Sequence, residues 1–134
     1  MKIMNRVFAR LAAVLAVVGI VAVGLASQAS AAIPTVPTNL VAVAGNTSAV
    51  LTWTASGNTP TDYVIEYSPD AFALSSHQFM DGSSTAVTAT VTGLANGVTY
   101  TFRVKGMNGD GTSAASATTT ALPYSNHTPN DSAV

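Results

Sequence analysis

Cysteine is missing from this chain and charge is scarce, with charged residues making up 8% of 134 positions. Without cysteine there is no disulfide scaffold, no thiolate metal site and no thiol nucleophile. Five Lys and Arg against six Asp and Glu leave a formal charge of −1, which argues against an electrostatic nucleic-acid binder. Histidine is nearly absent too: His77 has Asp81 as its nearby acidic partner and His127 lies close to the C-terminus, short of the three or four converging ligands a metal needs. No Gly-x-Ser-x-Gly elbow stands in the sequence. The acids that could form a hydrolytic pair, Asp62, Glu66, Asp70 and Asp81, read as exposed turn or strand-face residues. These shortages point away from an enzyme and from any cofactor, and the length allows one domain.

What is present divides in two. Residues 1–31 hold three basic residues (Lys2, Arg6, Arg10), no acid and 22 apolar residues. An uninterrupted apolar and glycine stretch of 16 residues, 11–26, leads to the small-residue triplet Ala29-Ser30-Ala31. That order reads as a Sec-type signal peptide, its apolar stretch too short to span a bilayer comfortably, with cleavage expected after Ala31. The alternative is an uncleaved anchor with the domain outside. Either way the rest of the chain is expected outside the cell, secreted or at its surface, and off the membrane once the leader is removed. There it carries Arg103 and Lys105 against six acids, a charge of −4, which excludes a basic-patch partner.

Eighteen threonines follow residue 31, many alternating with Val, Ala or aromatics, as suits half-buried strands. No window shows a helical stripe. Strands are expected at 40–44; at 49–54, with Ala49, Leu51 and Trp53 on one face; and at 63–67, with Tyr63, Ile65 and Tyr67 inward and Glu66 toward water. A short strand at 78–80 follows, then 85–91 with Val87, Ala89 and Val91 inward, then 99–107 with Tyr100, Phe102 and Val104 inward and Arg103 and Lys105 outward, and last 114–121. Asn96-Gly97 and Asn108-Gly109-Asp110-Gly111 are turn signals. About seven strands at this spacing make an all-β antiparallel sandwich of immunoglobulin-like type over 32–122, with 123–134 as a flexible tail. Its core is expected to contain Leu51, Trp53, Tyr63, Ile65, Leu94, Tyr100, Phe102 and Val104.

The anchors Pro37-Thr38-Asn39-Leu40, Leu51-Thr52-Trp53, Tyr63-Val64-Ile65-Glu66-Tyr67, Leu94 with Tyr100 six residues on, Tyr100 through Asn108, and Gly111 through Ser116 resemble a fibronectin type III domain in order and spacing. Tryptophan sits on the second strand, not the third as in immunoglobulin domains, and the inter-sheet disulfide of those domains is missing. Two positions depart from the family pattern: Gly106 replaces the usual Ala, and the last strand offers Ala and Thr where Val or Ile is usual. The resemblance implies a tyrosine corner at Tyr100 and a non-catalytic extracellular module for protein contact or spacing. Accessory polysaccharide binding through exposed aromatics (Phe72, Phe79, Tyr124) and a surface or filament subunit assembling by edge-strand pairing are the alternatives. The partner is thus an unidentified extracellular protein or polysaccharide. Gly109-Asp110 resembles the integrin-binding loop of some fibronectin modules but lacks its arginine. Asn46, Asn126 and Asn130 each begin a glycosylation sequon.

Overall fold

Strands are the regular elements of the structure, a computed structural model that describes residues 32–125. The leader with its expected cleavage after Ala31, and the tail with His127, Asn126 and Asn130, lie outside the described residues. The strands are β1 (Thr38–Gly45), β2 (Ser48–Thr54), β3 (Asp62–Ser68), β4 (His77–Phe79), β5 (Thr88–Thr92), β6 (Tyr100–Asn108), β7 (Gly111–Thr112) and β8 (Thr119–Ala121). They form two antiparallel sheets, β1-β2-β5 and β4-β3-β6, with β7 and β8 both along the free side of β6. The all-β sandwich expected from the sequence is therefore present.

Of the last strand expected at 114–121 only β8 forms, and β7 lies ahead of it, beginning at the last residue of the expected turn. Between them the hydroxyls of Ser113 and Ser116 accept hydrogen bonds from the Gly106 and Val104 N–H groups, each at 3.0 Å. The same serines' N–H groups donate back to the Gly106 and Val104 carbonyls at 2.8 Å. Three residues on one strand thus span two on the other, and the regular ladder is interrupted. β5 begins three residues later than expected, because Ser84 and Ala86 close a side-chain turn (Ala86 N–H to Ser84 Oγ, 3.2 Å) ahead of it. Val87 is left 39% exposed instead of inward, although its carbonyl still accepts the Trp53 N–H at 3.1 Å.

Period-two alternation points Ala49, Leu51 and Trp53 of β2, Ala89 and Val91 of β5, Tyr63 and Ile65 of β3, and Phe102 and Val104 of β6 into one core, joined by Leu94 and Ala121. Burying each large side chain contributes about 1.5–3 kcal/mol. The Trp53 and Tyr63 rings meet edge to face at 5.2 Å, and the Tyr63 hydroxyl accepts the Ser56 N–H at 3.0 Å. Tyr100 is half-buried, and its hydroxyl accepts the Ala95 N–H at 3.2 Å. At the same end Asn96 donates to Asn46 Oδ1 at 2.8 Å and accepts from the Thr47 N–H at 2.9 Å, tying the β5–β6 corner to the β1–β2 turn. The ordered chain continues past residue 122. Pro123 is buried, its carbonyl accepts the Gly97 N–H at 2.9 Å, and Tyr124 N–H donates to Gly45 at 3.2 Å.

Gly106 has a packing cause. A Cβ there would fall on Ser56 Oγ and lie 3.0 Å from Pro34 Cβ, so the entry segment occupies the space a methyl group would take. Gly106→Ala is expected to destabilise the domain by about 1–3 kcal/mol in urea titration. Ser56 Oγ is buried without a hydrogen-bond partner, so adding Ser56→Gly removes no bond and recovers part of that loss. Tyr100→Phe removes the acceptor for Ala95 and is expected to cost about 1 kcal/mol, whereas an unchanged midpoint contradicts the corner's role.

Candidate interaction surface

The two outer faces of the sandwich have opposite chemistry. On β3 and β6 the antiparallel register sets Glu66 opposite Arg103 and Val64 opposite Lys105. Glu66 is 5% exposed, not turned to water. Arg103 Nε and Lys105 Nζ lie 2.5 and 2.8 Å from its two carboxylate oxygens, and their long side chains cover it. Burial alone would raise the Glu66 carboxyl, but the hydrogen bonds and charges of Lys105 and Arg103 outweigh that and hold it below its ordinary value.

A loop completes this cover. Ser68 Oγ accepts from the N–H groups of Asp70 and Phe72 at 3.1 and 3.0 Å, and Asp70 accepts from Leu74 N–H at 3.1 Å. These bonds hold Ala71 and Phe72 at φ of 55° and 65°, a conformation costly for side-chain-bearing residues. The result sets the Phe72 ring 4.0 Å beneath the Arg103 guanidinium. Asp62 is buried as well and is not an exposed turn residue: its Oδ1 accepts from the Tyr63 and Ser84 N–H groups at 2.8 and 3.2 Å. Four positions along one strand put Asp62 and Glu66 on the order of 13 Å apart. They are anchors for backbone and cations, not a reacting pair.

The other outer face carries no charge. All seven charged side chains of the described residues (Asp62, Glu66, Asp70, Asp81, Arg103, Lys105, Asp110) lie on the larger sheet or its loops. Facing outward from β1, β2 and β5 are Val41, Val43 and Val50, exposed by 52%, 62% and 42%, beside Thr52, Thr54, Thr88, Thr90 and Thr92. Val43 pairs with Val50, and Val41 with Thr52, so the valines adjoin across the β1–β2 pair. Val50, Thr52 and Thr54 alternate with the inward Ala49, Leu51 and Trp53 along β2 and so share this outer side. The signal was there: residues 32–61 and 82–102 contain no charge, and they supply all three strands of this sheet.

The remaining candidates do not converge. His77 is exposed and stacks on Tyr67 at 5.3 Å, and among the described residues no three His, Cys, Asp or Glu side chains gather as metal ligands. Phe72 lies under Arg103, Phe79 packs against the core, and Tyr124 borders a shallow depression with Asn96, Gly97 and Pro123, so these three aromatics share no face. Asp110 is exposed in a tight turn, its N–H bonded to Asn108 Oδ1 at 2.9 Å.

The profile of the fibronectin type III domain matches residues 35–121. The chain belongs to the fibronectin type III family. No curated protein matches the whole sequence significantly. Among solved structures the chain is similar to one described as a myokine structure, at 17% identity and a TM-score of 0.59, covering 69% of this chain and 99% of that one. The FN5 domain of Drosophila Lar is similar at 20% identity and 0.57, with 69% and 99% covered. Domains A168–A170 of titin give 24% and 0.59, with 69% of this chain and 33% of that one covered. These likenesses bear on the fold. The fibronectin type III domain is generally a non-catalytic fold, typically a protein-interaction or spacer module, and commonly extracellular.

Within this fibronectin type III domain the Glu66 cluster makes stability depend on acid. A carboxyl lowered in the folded state adds stability that is complete above its ordinary value of 4.5 and is lost as pH falls through the lowered one. Glu66→Gln is expected to cost about 1–3 kcal/mol at neutral pH. In urea titrations the gap between the two proteins should narrow steadily below pH 4.5, and a pH-independent gap contradicts the assignment.

Proposed function

We propose that the protein is a non-catalytic extracellular module of the cell surface, exported by its leader and working by protein contact. The observation that carries this reading is the uncharged face on which Val41, Val43 and Val50 adjoin in the open. Exposed apolar side chains are common singly, but contiguous ones on a flat, charge-free sheet mark a contact surface. Its partner is a protein with a neutral, apolar patch, since the face offers no ion pair. The 16-residue apolar stretch after three basic residues supports export, and among the described residues no helix is long and apolar enough to cross a membrane.

Surface cross-linking on cells expressing the full chain tests both parts. The recovered protein is expected to begin at Ala32 by intact mass. Its cross-linked partners should be lost in Val43→Lys/Val50→Lys, at an unchanged thermal midpoint. A chain beginning at Met1 contradicts cleavage, and an unaltered partner set contradicts the role of the face.

A further inference from the structure

Four sheet edges exist among the described residues, and three of them are guarded. β1 follows Pro37 and has a register break between Thr38 and Val41. β4 is three residues long, and the β7–β8 edge is split by the serine-capped segment. Short strands, prolines, bulges and edge charges are the usual defences against strand addition. β5 has none of them: it is five residues of unbroken Thr88-Ala89-Thr90-Val91-Thr92, paired on one side with β2.

The hydrogen-bond parity shows which groups are free. Trp53 N–H donates to Val87 O across the β2–β5 register, so that pair is a hydrogen-bonded one. Alternation then turns the N–H and C=O groups of Ala89 and Val91 toward β2 and those of Thr88, Thr90 and Thr92 outward in the plane of the sheet. All three threonines are exposed. No other backbone group among the described residues bonds to them.

The strand is also close to a palindrome. About a two-fold axis through Thr90, an antiparallel second copy sets Thr90 against Thr90, Thr88 against Thr92, and Ala89 against Val91. The three outward threonines then coincide with the hydrogen-bonded positions, giving about six inter-strand bonds. Thr–Thr pairs are favourable neighbours across strands, and no charge opposes the approach. We infer that β5 is a self-association edge at which a second copy of this chain adds antiparallel, merging two three-stranded sheets into one of six. The contact is small, so the association is weak in solution and gains strength where copies are crowded on a surface. It does not depend on the apolar face having a protein partner, since a monomer can still use that face and a dimer need not.

Sedimentation velocity of residues 32–134, a segment that contains both sheets and the whole core, tests it. Wild type is expected to show a weight-average sedimentation coefficient that rises with concentration. Thr90→Pro deletes an outward N–H that no intramolecular bond uses, and Thr90→Lys sets two cations together on the axis. Both are expected to weaken association at least about tenfold. The register is tested by a matched pair: Thr88→Lys/Thr92→Glu brings opposite charges together across the axis and should preserve association, whereas Thr88→Glu/Thr92→Glu brings like charges together and should abolish it. Circular dichroism confirms that each variant folds. A wild type that stays monomeric at every concentration overturns the inference. So does association that ignores these substitutions, which would place the contact on another surface or strand.

Discussion

The pairing of β3 with β6, in register from Asp62–Met107 to Ser68–Thr101, is the constraint on which the rest of the structure depends. One alternation serves both sides of this seam. Inward it delivers Tyr63, Ile65, Phe102 and Val104 to the core, and outward it brings Arg103 and Lys105 onto Glu66. A slip of one residue would turn two cations into the core and expose Phe102 and Val104. The hydrophobic pattern and the ion cluster therefore select the same register. The loop that sets Phe72 under Arg103 rests on that cluster in turn.

No disulfide joins the two sheets across the core. What links them is packing between the layers and a few backbone-directed side chains at the ends. Asn96 reaches the β1–β2 turn, Tyr100 closes the β5–β6 corner, and Asp62 holds the segment before β5 through Ser84. Each removes an unpaired polar group where chain direction changes, so the sandwich stays closed without a disulfide.

Much of the architecture was legible in the sequence. Alternation marked the faces of β2, β3 and β6, because a residue that repeats every second position has one option in a sheet with a single dry side. What alternation could not tell was how wet the other side is. Its own strand alone places Glu66 toward water, whereas its burial comes from two long side chains on the neighbouring strand. The burial of Asp62 is equally invisible in one strand, since its carboxylate accepts from the Tyr63 and Ser84 N–H groups, which only the fold brings together. The break between β7 and β8 depends on serine hydroxyls replacing ladder groups, which a Ser and Ala run does not signal. The uncharged face was readable as two charge-free stretches, once their strands are known to share a sheet.

The domain thus has a neutralised charged side, a bare Val and Thr side, and one open edge that borders the bare side. Residue-resolved amide hydrogen exchange on dilute protein tests this arrangement most directly. The amides of β3 and the middle of β6 are expected to be slowest, exchanging through global unfolding. Within β5, Thr90 should exchange at least about a hundredfold faster than Ala89 and Val91. Equal protection of all three would contradict the open edge, and β6 amides exchanging as fast as those of the loops would contradict the seam.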